Sequence, residues 1–202
     1  SAWRMAVGSG IHGKGGAVLL YGAQVLAEWQ YLGILYQVDS QEVDGLPTGA
    51  MWECPSFFPL GQKWVLLISA WTKEGPIHTL FYTGDYRHDH FIPDGPPRKL
   101  DHGAGSCFYA PQTFTGPGGE RLMFGWLREA RGDDEMKRAS WSGAMSLPRL
   151  LSLSEAGELV CAPLPVTASL RGAAETLEDA GQLSSIVTGA QLEALVSLPI
   201  DA

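Results

Sequence analysis

The stretches ECPSFFPLGQKWVLLIS (53–69) and YAPQTFTGPGGERLMFGW (109–126) follow one scheme: a proline-bearing aromatic run, a glycine turn, then an apolar run. Their prolines, Pro55 and Pro111, stand 56 residues apart. WRMAVGSG (3–10) resembles the second half of the same unit, and Trp3 precedes Trp64 by 61 residues. Each half is short, rich in β-branched and aromatic residues, and bounded by Gly, Pro or Asp, which is the signature of a strand. Further strands are expected at AVLLYGA (17–23), WQYLGILYQV (29–38) and HTLFYTGDY (78–86), separated by HGKGG, LGQK, PDGPP and GPGGE. Strand units repeating at intervals of about 40–60 residues are the mark of a β-propeller. If Trp3 opens the second strand of a unit, the matching first strand belongs before Ser1, so the chain is expected to begin within a blade.

Composition narrows the class. The 202 residues are 45% hydrophobic, with seven tryptophans, 25 glycines and 13 prolines, enough to build a core threaded by many turns. A net charge of −8 argues against nucleic acid as a partner, because phosphates demand a basic face. No apolar run approaches the roughly 20 residues that span a bilayer, so no membrane partner is expected either. No signal peptide is visible, and the compartment, cytoplasm or secreted, stays open. Three widely spaced cysteines, Cys54, Cys107 and Cys161, outline neither a disulfide framework nor a zinc site, and no cofactor or metal is expected. Helical periodicity enters only late, in LRGAAETLEDAG and AQLEALVSL.

One acid stands out. Within MWECPSFFPL (51–60), Glu53 lies among aromatic rings, a cysteine and two prolines. It reads either as a salt-bridged edge residue or as a general acid whose apolar surroundings keep it protonated. His88 and His90 of RHDH suggest a metal less well than a solvated loop. GSGIHGKGG lacks P-loop spacing and reads as a hairpin turn. REARGDDEMKR (128–138) reads as a charged, solvated loop.

The segments WECPSFFPLG, LDHGAGSCFYAPQTF, LMFGWLREAR and WSGAMSLPRLLSL together resemble the invertases and β-fructosidases of glycoside hydrolase family 32, in order and spacing over about residues 1–170. The resemblance implies an all-β fold: a partial five-bladed β-propeller, about blades three to five, over residues 1–166, then a linker and the start of a C-terminal β-sandwich over 167–202. It implies retaining cleavage of β-fructofuranosyl bonds in sucrose, inulin or levan, hence a fructose-containing oligo- or polysaccharide as partner. Glu53 becomes the general acid/base, set beside Trp52, Phe57 and Phe58. Cys54 becomes the neighbour that tunes it, with a buried core cysteine as the alternative. Trp126 matches an aromatic lining the sugar pocket, against a plain core aromatic. Asp101 matches an acid contacting the leaving sugar, against a turn residue; the longer HGAGSC spacer and Cys107 depart from the family pattern there.

The family's nucleophile stands in an N-D-P-N-type motif and its third acid in an R-D-P motif, and neither occurs in this chain. Asp94 of FIPDG lacks the right context, and Asp85 and Asp89 of GDYRHD read as turn and edge residues. The expectation is therefore a fragment holding one of three catalytic acids, inactive alone and self-associating through open blade edges. The competing readings are a non-catalytic fructoside-binding or assembly module, and one half of a split enzyme.

Overall fold

The computed structural model describes residues 2–101, 107–173 and Glu193. Nearly all of its regular structure is strand. Strands β1 (Trp3–Gly10), β2 (Gly16–Ala23) and β3 (Gln30–Gln37) form one antiparallel sheet in the order β1-β2-β3. A small hairpin, β4 (Glu42–Val43) with β5 (Leu46–Pro47), leads into the second sheet. That sheet contains β6 (Met51–Leu60), β7 (Lys63–Thr72), β8 (Gly75–Arg87), β9 (His90–Pro93) and β10 (Arg98–Lys99), with path β10-β8-β7-β6. The third contains β11 (Phe108–Thr115), β12 (Arg121–Leu127), β13 (Ala144–Met145), β14 (Arg149–Leu153) and β15 (Leu159–Pro163), with path β11-β12-β14-β15. The repeat read in the sequence is thus real: β6-β7 and β11-β12 are corresponding hairpins. In the first sheet β1, the counterpart of β7 and β12, stands at the edge of three strands.

Strand β7 explains how the sheets stack. Its middle six residues are buried, so both faces are covered, as a near-continuous apolar run requires. Leu66, Ile68 and Ala70 join Val18, Leu20, Leu35 and Val38 of the first sheet's segment in one core. Val65 and Leu67, on the alternate face, join Phe108, Met123 and Leu151 of the third sheet in another. Each fully buried Leu or Ile contributes about 1.5–3 kcal/mol through water released from its surface. The second sheet is therefore sandwiched between the other two.

Close backbone approach ties β1 to the start of β6. A Cβ on Gly8 would collide with the carbonyl oxygen of Trp52, and one on Gly10 with that of Ala50. Because backbone cannot rotate aside as a side chain can, Gly8→Ala is expected to cost about 1–3 kcal/mol, the range for overpacking. Urea unfolding should show this as a lower midpoint; an unchanged midpoint would contradict the close approach.

One expectation changes. The charged stretch read as a loop contains a helix, α1 (Asp133–Ala139). Its first turn carries Asp133, Asp134 and Glu135 and its last Lys137 and Arg138, each sign at the end of the helix dipole that favours it. Ser140 ends the helix in the left-handed conformation, and no helical residue is buried. The 88–89 segment is a tight turn with both residues at positive φ, 51° at His88 and 61° at Asp89. Asp89 there accepts a hydrogen bond from Tyr86 Oη at 2.7 Å and pairs with Arg4 of β1.

By compactness the chain divides into residues 1–164 and 165–202. The described part of the second unit begins with a 3-10 helix, Pro165–Leu170, and includes an ion pair between Arg171 and Glu193 at 2.6 Å. Most of the sandwich expected over 167–202, and most of the two helical-looking stretches, lies outside the described residues.

Candidate active site

Glu53 is half-buried and sits at a β-bulge. The ladder between β6 and β7 pairs Glu53 with Ser69 but Ser56 with Leu67, so three steps on β6 oppose two on β7. Cys54 takes φ 47° there. Pro55 has no N–H to give the ladder, and a bulge is where a sheet tolerates such a residue. The third sheet repeats the device: the register of β11 and β12 shifts between Tyr109 and Gln112, Ala110 has φ 48°, and Pro111 follows. A non-glycine residue held at positive φ costs on the order of 1–3 kcal/mol, and such strain clusters at functional sites.

The two bulges face each other. The Ala110 N–H donates to Ser69 Oγ at 3.1 Å, and Ser56 and Thr113 share a hydroxyl hydrogen bond of 2.7 Å. Between them Tyr109 Oη donates to Glu53 Oε2 at 2.9 Å. The same hydroxyl lies 3.2 Å from the carbonyl oxygen of Ala70. Burial, and next the bond to Glu53, raise the pKa of the Tyr109 phenol, so it keeps its proton and remains a donor. The Arg128 guanidinium lies over the Tyr109 ring, 5.8 Å from its centroid.

The carboxyl's surroundings differ from the expected aromatic box. Trp52 is fully buried on the other face of β6, with its indole N–H donating to Thr48 O at 2.8 Å. Phe57 packs with Trp52 in the first core and Phe58 in the second. The bulge is the reason. An unbroken strand would put Phe57 on the face of Glu53, and one extra residue sends it to the opposite face.

The other expected residues divide. Cys54 is exposed, which overturns the core-cysteine alternative; local desolvation of its sulfur, then the charge of Glu53, push its thiol pKa up. Trp126 is 43% exposed, so it is no core aromatic either. It pairs in register with Tyr109 on one side and with Met145 on the other. Asp101 forms an ion pair with Arg149 at 3.0 Å, and that guanidinium stacks on Phe108 at 4.0 Å. Sequence reasoning missed Tyr109. The signal was present in the repeat, since Glu53-Cys54-Pro55 and Tyr109-Ala110-Pro111 are equivalent triplets.

A half-buried carboxyl with a phenol beside it and an exposed indole nearby can exchange a proton with a bound, ring-shaped polar ligand. Comparison with known proteins gives this geometry a context. Residues 1–163 match the glycosyl hydrolases family 32 N-terminal domain. The chain is 33% identical over 181 residues to the sucrose-6-phosphate hydrolase of Escherichia coli, covering 84% of this chain and 35% of that protein. It is 31% identical over 180 residues to the Bacillus subtilis protein of the same name, covering 84% and 36%. It superposes on the family 32 β-fructofuranosidase of Bombyx mori with a TM-score of 0.70 at 30% identity, covering 85% of this chain and 36% of that one. Fructan 1-exohydrolase IIa of Cichorium intybus gives the same TM-score at 22% identity, a likeness of fold, covering 85% and 34%. The chain thus spans about a third of the length of the relatives it matches.

Proposed function

The chain belongs to glycosyl hydrolase family 32, a family of glycoside hydrolases, and on that premise we propose that it carries the acid/base side of a retaining β-fructofuranosidase site with Glu53 as the acid/base. The observation that carries this reading is the Tyr109–Glu53 hydrogen bond between the two facing bulges. A retaining glycosidase needs one carboxyl that first protonates the departing oxygen and then, as a carboxylate, activates water. Tyr109 serves both states with its single proton. Toward the carboxylate it donates, as at 2.9 Å here. When Glu53 is protonated on its other oxygen, that proton is left for the departing oxygen while the phenol keeps donating to Oε2 or turns its own proton to Ala70 O, 3.2 Å away. Neither state leaves the phenol proton without an acceptor, so the proton can come and go without rearranging the strands.

Trp126, exposed and in register with Tyr109, offers an aromatic face to a sugar ring. Cys54 borders the acid directly in sequence, is exposed, and feels the charge of Glu53 at its thiol. Asp101 is a weaker contact, since Arg149 already engages it. The second carboxylate of the mechanism is not assigned to this chain. Asp85 pairs with Arg87, Asp89 with Arg4, Asp94 with Lys63 and Glu129 with Arg131. The three stacked sheets are read as successive blades of a five-bladed propeller, with the nucleophile on a blade outside these 202 residues.

The substrate class is a β-fructofuranoside. A Bombyx mori family 32 β-fructofuranosidase variant has been solved with sucrose, and a Cichorium intybus fructan 1-exohydrolase variant with 1-kestose. The test is to follow the first product of sucrose cleavage by the full-length protein with proton NMR. Retention predicts β-fructofuranose before mutarotation; α-fructofuranose appearing first would overturn the mechanism.

A further inference from the structure

Arg128 stands apart from the other arginines. Among the described residues, Arg4, Arg87, Arg98, Arg131, Arg149 and Arg171 each pair with a carboxylate. Arg121 stacks on Phe58, and Arg138 donates to the Asp134 carbonyl of its own helix. Arg128 has no carboxylate partner among the described residues, yet it lies just beyond β12, two residues after Trp126, with its backbone N–H bound to Cys107 O at 2.7 Å. Its Nη1 donates to Pro76 O at 3.1 Å, and its guanidinium lies over the ring whose hydroxyl holds Glu53. One aromatic ring therefore separates a half-buried cation, with no carboxylate partner among the described residues, from the proposed acid.

We propose that Arg128 determines specificity by receiving a phosphate monoester carried on the leaving sugar, as in sucrose 6-phosphate. This rests on the acid/base reading of Glu53. The acid gives its proton to the oxygen that departs with the leaving sugar, so groups one ring beyond it flank that sugar and not the fructosyl ring. A guanidinium presents five N–H donors in a planar fork that matches phosphate oxygens, and only one of them is used by Pro76 O. These 202 residues carry a net charge of −8, and against that local background a cation without a carboxylate partner among the described residues is what attracts an anionic group. An ion-paired arginine would already have spent that attraction.

The test compares kcat/KM of the full-length protein on sucrose 6-phosphate and on sucrose, in wild type, Arg128→Gln and Arg128→Lys. Gln can keep the hydrogen bond to Pro76 O but loses the charge; Lys keeps the charge but loses the fork. The phosphorylated-to-plain ratio is expected to fall about 10- to 100-fold in the Gln variant, as loss of a charged hydrogen bond implies, with the change carried by KM. The Lys variant should fall between. Inorganic phosphate should compete with sucrose in wild type and less in Arg128→Gln; competition by the free ion with no preference for the ester would overturn the specificity role. Because the ratio is taken within one preparation, a partly unfolded variant does not distort it. An unmoved ratio alongside Glu53-dependent sucrose cleavage overturns the inference and leaves the acid/base reading standing. Failure of wild type to cleave either fructoside overturns that reading first, and this one with it.

Discussion

Glutamine in place of Glu53 is expected to lower sucrose turnover of the full-length protein by about 10²–10⁴-fold, the contribution of a positioned general acid. The substitution is nearly isosteric, and Tyr109 Oη can still donate to the amide oxygen that replaces Oε2, now 2.9 Å away. The bulge, set by Pro55 and the left-handed Cys54, does not depend on the carboxyl. Folding, read by circular dichroism and urea unfolding, should therefore survive. The loss should depend on the leaving group: a fructoside with an activated aryl group needs little protonation, so its first step should be spared while its hydrolysis step stays slow. Turnover of sucrose near the wild-type rate would remove Glu53 from the chemistry.

The second large effect concerns the 202 residues by themselves, which are expected to release no fructose from sucrose or inulin. A retaining mechanism requires a nucleophile that forms the covalent fructosyl intermediate, and Glu53 cannot be both that nucleophile and the acid protonating the departing oxygen in one step. Asp85, Asp89, Asp94, Asp101 and Glu129 each pair with an arginine or lysine, and the N-D-P-N and R-D-P motifs are missing from the chain. Half a pocket also buries little of a sugar, so binding should be weak. The measurement is fructose release by the purified 202-residue chain beside a longer form carrying those motifs. Robust, Glu53-dependent release by the short chain would place the nucleophile within it.

The sheets were legible because strand signals act locally. WRMAVGSG is β1 residue for residue, and the buried run of β7 needed only its neighbours in sequence to be read. The candidate site was only half legible. Glu53 and Trp126 were visible as residue types in unusual company, but their surroundings depend on register, and register hides a bulge. Alternation places Phe57 beside Glu53; the extra residue at Cys54 places it with Trp52 in the other core. No glycine marks the positive φ at Cys54 or Ala110, so local rules gave no warning. Helix α1 was missed because it has no apolar stripe; its charges are sorted by end, not by face.

The paired bulges bear on how such a site could change over time. Glu53 and Tyr109 occupy the same place in two copies of one structural unit, each just ahead of a left-handed residue and a proline. Each copy projects that side chain toward its neighbour, and the two meet. The place is therefore a mounting point supplied by the repeat, while the chemistry is whatever residue is fitted there: an acid in one copy, a phenol in the next. The backbone that makes the mount is held by Ser69, Ser56 and Thr113 together with the prolines. Division of labour between duplicated positions then needs only side-chain exchange on an unchanged frame, with packing and catalysis free to be selected separately.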